Sequence, residues 1–217
     1  MPVRNVSNRG GNVIGKFPSI KMGRMVAFES LLERDFIYLL DYAEEVTWFE
    51  EQPLTIEYQN EGKTLHYTSD FHVVEGGENV LVECKPERFV EKDENRRKFA
   101  AARNWCAQRN WTFRIVTGRE VRAGFRLQNV KLLTRYARQR VDPAMQGRIY
   151  GLLYNCQALL TIDNIVAAIP LADPGAVTAC LLHMAFHHEV AVPLDEAPLS
   201  GEVAVRLPAR TQREVKR

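Results

Sequence analysis

The sequence predicts an α/β protein in which a mixed sheet is flanked by helices, with a small helical domain after it. Stretches whose apolar residues recur at helical spacing alternate with short β-branched and aromatic runs, in the order α-β-β-β-α-β-α. Around Val141-Asp142-Pro143 the composition and the charge change, which is typical of a domain boundary. We therefore expect one domain over residues 1–140 and a second over residues 141–217.

The first domain is expected to begin with a basic arm, residues 1–22, that orders on a partner. Residues 28–46 then predict a helix, and residues 46–59 predict one or two strands broken at Pro53. Residues 67–87 predict a β-hairpin, because two apolar runs flank a Gly-Gly turn. The remaining predicted elements are a basic helix over about residues 92–109, a strand over 111–118 and a helix over 126–140.

The second domain is predicted to contain three apolar helices and a β-hairpin, which together suggest a winged-helix-like fold. Asp173 and Pro174 supply an N-cap and a proline for the start of the third helix. The residues after Leu207 are expected to form a tail. The predicted helices span about residues 143–157, 161–169 and 174–188, and the two strands lie within residues 190–207.

Charge is segregated along the chain, although the net charge of the 217 residues is only +2. The net charges are +5 over residues 1–28, −11 over 29–85, +10 over 86–140 and −2 over 141–217. An acidic block between basic blocks fits a metal-holding site surrounded by groups that hold a polyanion. The alternative is that the blocks simply neutralise one another within one domain.

Nothing in the sequence indicates a membrane or secreted protein. No apolar run approaches the ~18 residues of a membrane span, and the N-terminus lacks the apolar segment of a signal peptide. We therefore expect a cytoplasmic protein without membrane association. The four cysteines, Cys84, Cys106, Cys156 and Cys180, have neither CxxC nor metal-like spacing, which indicates reduced thiols.

The predicted hairpin carries three charged residues inside its strands. If Val74 pairs with Asn79 across a four-residue loop, Asp70 lies opposite Glu83. Opposed residues share a face, and residues two apart along a strand do so as well, so Lys85 joins the same face. Two facing carboxylates repel each other, and a hard divalent cation with oxygen ligands would relieve that repulsion.

A structural interpretation of the same hairpin stays open. The charged face could be a half-exposed polar surface on which Lys85 merely offsets Glu83. A slip of one residue in the register would also separate Asp70 from Glu83.

Two further patterns favour structural roles over binding. His183, His187 and His188 lie near one end of a predicted helix, but HxxxHH lacks the glutamate of a zinc hydrolase motif, so we interpret them as a polar helix face. Trp105 and Trp111 flank a basic helix and could stack on bases, but we expect them to be core aromatics.

The order of the motifs resembles the TnsA family. The hairpin has the D…ExK arrangement of restriction-endonuclease-like nucleases, also written PD-(D/E)xK. The wider resemblance covers nearly the whole chain, because the C-terminal helices also match the family's partner-binding domain. The motifs that carry it are GRMVAFESLLERDFIYLLDY, EEQPLTIEY, YTSDF, LVECKPE and WTFRIVTGREVR followed by NVKLLTRY.

The resemblance implies a restriction-endonuclease-like fold and a role for each charged residue. Asp70 matches the central metal-binding aspartate, Glu83 the second strand ligand and Lys85 the catalytic lysine. Glu33 matches the helix glutamate that completes the acidic cluster, by which we mean Glu33, Asp70 and Glu83. Glu29, one helical turn earlier, is the alternative for that role.

The implied chemistry is phosphodiester hydrolysis with Mg²⁺, for which Mn²⁺ is expected to substitute. Two cations a few Å apart can activate a water and stabilise the leaving oxygen. Asp70 would bridge them, while Glu83 and the backbone carbonyl of Cys84 would hold the one nearer the attacking water. Glu33 would orient that water or support the second cation, and Lys85 would lower the pKa of the water or hold a phosphate oxygen.

The resemblance also implies partners. TnsA is the endonuclease subunit of heteromeric cut-and-paste transposases and cuts the 5′ ends of transposon DNA. A DDE-family transposase (TnsB-like) cuts and joins the 3′ ends, and an AAA+ ATPase regulator (TnsC-like) docks on the C-terminal domain. We expect the same of this chain, in a bacterial, DNA-associated cytoplasmic setting. The alternatives are a stand-alone restriction or repair nuclease and a non-catalytic adaptor between transposase and regulator.

Overall fold

The computed structural model describes residues 13–156 and 158–208. The chain divides into two compact units, of which one ends at Ala123 and the other begins at Gly124. This division precedes the boundary at residues 140/141 that the composition predicts. Residues 1–12 of the predicted arm and residues 209–217 of the predicted tail lie outside the described residues.

The first unit contains a four-stranded mixed sheet with the strand order β3-β6-β7-β8. The β3–β6 and β6–β7 pairs are antiparallel, and the β7–β8 pair is parallel. Parallel neighbours need a crossover, and α2 and α3 supply it. In chain order the elements are β1 (Gly15–Pro18), β2 (Met25–Phe28), α1 (Leu31–Tyr42), β3 (Val46–Glu51), β4 (Thr55–Asn60), β5 (Lys63–Thr68), β6 (Phe71–Glu75), β7 (Glu78–Cys84), α2 (Glu87–Val90), α3 (Asp93–Ala107), β8 (Thr112–Val116) and α4 (Gly118–Val121).

Helices cover both faces of this sheet, so the predicted architecture is confirmed. On one face Phe36 of α1 meets Phe71 of β6 edge to face, with 5.8 Å between the ring centroids. Leu81 of β7 points to the other face, because its neighbour Val82 pairs with Phe71. There Leu81 packs with Ala102 of α3 and with the β4–β5 hairpin. The sheet is therefore buried on both sides, as its apolar strands predict.

The hairpin β6–β7 has the predicted register but a tighter turn. Val74 pairs with Asn79, as expected, and the pairing continues to Glu75 and Glu78. Only Gly76 and Gly77 remain in the loop, which is two residues long instead of the expected four. Both have positive φ, +59° and +85°, the backbone of a type I′ turn. Such a turn matches the twist of the strands, so the ladder extends by one pair.

The N-terminal segment is more ordered than the sequence predicts. Gly15–Pro18 was expected to belong to an irregular arm, but it forms β1 and pairs with β2. The buried carboxylate of Asp41 holds the loop that follows, accepting hydrogen bonds from the Ser19 hydroxyl and from the backbone N–H groups of Ile20 and Lys21. Periodicity alone gave no sign of this loop, because its order depends on a distant side chain.

The second unit contains four helices and short antiparallel strands within its described residues. β9 pairs with β10, and Ala191 forms an isolated bridge with Arg206. The predicted three helices are present, but the predicted hairpin within residues 190–207 is reduced to that bridge, since Pro193 and Pro198 interrupt a regular ladder. The elements are α5 (Arg126–Thr134), α6 (Pro143–Asn155), β9 (Leu160–Thr161), α7 (Ile162–Ala167), α8 (Pro174–Phe186) and β10 (Ala204–Val205).

Helix α5 belongs to this second unit because of a buried asparagine. The Asn129 side-chain amide donates to the carbonyls of Leu194 and Ala197, each at 2.8 Å. Its Oδ1 accepts from the backbone N–H of Leu199 at 2.9 Å. A buried side chain that makes three hydrogen bonds fixes the helix against the C-terminal segment.

The four cysteines are free thiols, and only Cys156 is exposed. Among the residues described, no helix has the length and apolar character needed to cross a lipid bilayer.

Candidate active site

The hairpin β6–β7 brings Asp70 and Glu83 together at one end of the sheet. The register through Phe71 and Val82 places Asp70 opposite Glu83, one step beyond the last pair of the ladder. Asp70 Oδ2 accepts a hydrogen bond from the backbone N–H of Cys84 at 2.7 Å. The carboxylate of Asp70 is thus fixed to the strand that carries Glu83.

Glu83 is buried and held on both of its oxygens. Glu83 is only 3% exposed. Lys85 Nζ lies 2.6 Å from Oε1, and the Tyr67 hydroxyl donates to Oε2 at 2.7 Å. Burial, assisted by the charge of Glu83, raises the pKa of Tyr67, so its hydroxyl stays protonated and donates.

Glu33 reaches the same region from the first turn of α1. Its Oε2 accepts from the Glu29 backbone N–H and its Oε1 from the Ser30 hydroxyl, both at 2.7 Å. Ser30 in turn accepts from the Glu33 backbone N–H at 3.1 Å. Ser30 therefore caps α1, and the Glu33 carboxylate is held against the residues that precede the helix. Glu29, the alternative candidate, touches the cluster through Glu33.

Two carboxyl groups of the acidic cluster, those of Asp70 and Glu33, have raised pKa values. Burial raises the pKa of Asp70 well above its usual value, and the charges of Glu83 and Glu33 raise it further. Burial likewise raises the pKa of Glu33, against its hydrogen bonds to Glu29 and Ser30, and the charges of Glu29 and Glu83 add to the rise. In both groups burial and the neighbouring carboxylates oppose the ionised form.

Lys85 is the cation that the cluster already holds. Burial by itself would lower the pKa of its ammonium, but the charges of Glu83, Asp70 and Glu33 raise that pKa above its usual value. Lys85 therefore stays protonated, and a single positive charge faces three carboxyl groups. The single charge of Lys85 does not balance three ionised carboxylates, so the cluster could still bind a divalent cation.

The donor set suits a hard divalent cation, although it is not arranged as a finished metal site. Within residues 13–156 and 158–208, no three His, Cys, Asp or Glu side chains converge on one point. The contacts explain why, since Glu33 is bonded to Glu29 and Ser30 while Glu83 faces Tyr67 and Lys85. Each carboxylate oxygen keeps a second lone pair, and oxygen ligands are what Mg²⁺ prefers. The residues therefore fit such an ion chemically, and Glu33 would have to give up hydrogen bonds to Glu29 and Ser30 to join it.

Tyr67 is the site residue that sequence reasoning missed. It lies on β5, three positions before Asp70, and its ring packs in the core with Ile56 and Leu81. A pattern of charges could not reveal it, because it reaches Glu83 through the packing of the β4–β5 hairpin on the sheet.

The patterns interpreted as structural behave accordingly. The His183 and His187 rings hydrogen-bond the carbonyls of Tyr136 and Ala137, at 3.1 and 2.8 Å. In the first unit, Trp105 and Trp111 pack against the core cluster that contains Tyr67.

Helix α3, in the same unit as the acidic cluster, carries a basic surface. An open cleft of about 700 Å³ beside this helix is lined by Arg96, Arg97 and Arg103 together with Glu91 and Asp93. The first turn of α3 lies near the cluster, since Lys98, Lys85 and Lys92 together lower the pKa of Glu94. The acidic cluster and exposed arginines are thus parts of the same unit.

A comparison with known protein families identifies part of the first unit. Residues 43–118 match the family model described as the TnsA-like endonuclease N-terminal domain. The matched segment includes Tyr67, Asp70, Glu83 and Lys85 and begins after α1, which carries Glu33. No curated protein has significant similarity to the chain.

Proposed function

Because residues 43–118 match the TnsA-like endonuclease N-terminal domain, we propose that the protein cuts the 5′ ends of a mobile DNA element by Mg²⁺-dependent hydrolysis. The observation that carries the proposal is the buried acidic cluster beside Lys85. Two of its carboxyl groups, those of Asp70 and Glu33, have raised pKa values, and such groups concentrate at functional sites.

Each residue of the site has a distinct task in this proposal. Asp70, Glu83, Glu33 and the backbone carbonyl of Cys84 would hold Mg²⁺, with Mn²⁺ as a substitute. When bound, the ion supplies Lewis acidity at the phosphate and stabilises the charge that develops on the leaving oxygen. Lys85, which stays protonated, would hold a phosphate oxygen and orient the scissile bond for in-line attack.

DNA would be held mainly by its phosphates. Arg96, Arg97 and Arg103 line the cleft beside α3, in the unit that contains the acidic cluster. Arginines bind phosphates with little dependence on base sequence and with an affinity that falls as salt rises. The basic residues of the segment 1–22 would add to this binding.

The second unit would serve the partners. We assign docking of an AAA+ ATPase regulator to residues 141–217, and the action at the 3′ ends to a DDE-family transposase. The protein would work in the cytoplasm of a bacterium, on transposon-end DNA. The basis is the TnsA-like domain together with the separate compact unit that follows it.

Sequencing of insertion products tests this function. Asp70→Ala should abolish 5′-strand cleavage while 3′-end joining continues, so the donor stays attached and replication yields a fused cointegrate. Long-read sequencing should therefore show cointegrates in place of simple insertions. Glu78→Ala removes an exposed carboxylate at the other end of the same hairpin and should keep the wild-type products. Simple insertions at the wild-type proportion from Asp70→Ala would contradict the proposal.

A further inference from the structure

Tyr67 joins the hydrophobic core to the acidic cluster. The residue is 5% exposed, and its ring packs with Ile56, Leu81 and Cys106. Its backbone pairs with Ile56 in the β4–β5 ladder. Its hydroxyl, at the opposite end of the side chain, donates to Glu83 Oε2 at 2.7 Å. The position of the hydroxyl is thus set by core packing and not by the cluster itself.

We propose that Tyr67 is a positioning residue, whose hydroxyl fixes the Glu83 carboxylate in the orientation that binds a divalent cation. The inference rests on the proposed metal-dependent function and names a residue that acts through Glu83. Groups that hydrogen-bond a metal-binding carboxylate restrict its rotation and commonly change metal affinity by about 10–100-fold.

The two partners of Glu83 differ in how firmly they can hold it. Lys85 contacts Oε1 through a long flexible side chain that is also expected to contact DNA. Tyr67 has two side-chain torsions and a ring enclosed by the core, so it holds Oε2 whether or not DNA is present. Each oxygen retains a lone pair for a cation, so the hydrogen bond and the metal bond do not exclude each other.

Tyr67→Phe removes only the hydroxyl and provides the test. Binding of Mn²⁺ to the full chain without DNA, measured by calorimetry or electron paramagnetic resonance, should weaken by about 10-fold or more. Tyr58→Phe is the matched control, because Tyr58 lies on the same hairpin and packs against the same core. Tyr58→Phe should bind Mn²⁺ as the wild type does.

A double variant separates positioning from a general loss of structure. If Tyr67 acts through Glu83, Tyr67→Phe should not weaken Mn²⁺ binding further once Glu83→Ala is present. An additional loss of the same size in the double variant would overturn the proposal, as would an unchanged Mn²⁺ affinity in Tyr67→Phe alone.

Asp70→Ala distinguishes failure of the inference from failure of the function. Mn²⁺ binding that depends on Asp70 but not on Tyr67 would overturn the inference and leave the proposed function standing. If Asp70→Ala binds Mn²⁺ as tightly as the wild type does, both the inference and the proposed function are overturned. Weaker binding in Asp70→Ala and in Tyr67→Phe, with Tyr58→Phe unchanged, is the expected result.

Discussion

At the scale of single residues, Asp70 shows how the acidic cluster lowers the stability of the protein when no cation is bound. Its pKa is raised mainly by burial and then by Glu83 and Glu33. The folded state therefore binds this proton more tightly than the unfolded chain does. The favourable contribution of Asp70 to the free energy of unfolding is complete below the pKa of the unfolded chain, about 4. It is lost as the pH rises through the raised pKa of the folded state.

Asp70→Asn should consequently stabilise the metal-free protein at pH 8. The amide keeps an oxygen for the Cys84 N–H but carries no charge to oppose Glu83 and Glu33. Urea unfolding in EDTA should show a higher free energy of unfolding than in the wild type at pH 8. The gain should shrink toward pH 4, where the wild-type carboxyl is protonated as well. Equal stability of the two proteins at pH 8 would show that the cluster is not strained.

Residue types alone were enough to predict which charged side chains meet. Strand alternation placed Asp70, Glu83 and Lys85 on one face, and the structure brings them together. Glu33 came from the family resemblance, and its charge does act on Asp70. The hydrogen bonds of Glu33 to Glu29 and Ser30 are local contacts within one helical turn, whereas the contact of Tyr67 with Glu83 depends on tertiary packing and could not be predicted from local patterns.

At the scale of elements, the hairpin β6–β7 depends on its two-residue turn. Gly77 has φ +85°, where a side chain is strained whatever space surrounds it. Gly77→Ala should lower the free energy of unfolding by about 1–2 kcal/mol. The site should suffer as well, because a changed turn can shift the register that opposes Asp70 to Glu83.

Gly147→Ala is the matched comparison for that substitution. Gly147 lies inside α6, and a methyl group there meets no atom within 4 Å. Alanine favours helix over glycine by about 1 kcal/mol, so this variant should be more stable than the wild type. Thermal unfolding of both variants should move in opposite directions, and a shift of the same sign in both would contradict this account of the turn.

Elements with strong local signals were predictable, and those that depend on distant partners were not. The Gly-Gly turn and the apolar runs around it determined the register of β6–β7. Within residues 190–207 only β10 forms as a regular strand, and its partner is β9, far away in sequence, so the expected hairpin is reduced to a single bridge. Alternation indicates that a segment can be a strand, but it does not identify the partner strand.

At the scale of the whole molecule, the position of the division between the units has consequences. Helix α5 lies in the second unit, where Leu127, Val130 and Leu133 are buried and Asn129 is bonded to the C-terminal segment. Composition predicts the later boundary at residues 140/141, because α5 continues the basic block that begins at residue 86.

Truncation after Ala123 should therefore give a better-behaved nuclease unit than truncation after Arg140. The longer fragment carries α5 without the residues that bury its apolar face. We expect it to bind more of a hydrophobic dye and to aggregate more in size-exclusion chromatography, while both fragments fold. Both should fail to bind an AAA+ partner in a pull-down. A well-behaved 1–140 fragment and an aggregating 1–123 fragment would contradict this division.

The central claim is that the acidic cluster with Lys85 hydrolyses DNA at the 5′ ends with the help of a divalent cation. Strand-resolved cleavage of labelled transposon-end DNA by the assembled complex tests it most directly. We predict that the wild type cuts the 5′ strand only when Mg²⁺ or Mn²⁺ is added. Asp70→Ala and Lys85→Ala should leave that strand intact while the 3′ strand is still cut, and Glu78→Ala should cut both. Cleavage of the 5′ strand by Asp70→Ala at the wild-type rate would contradict the claim.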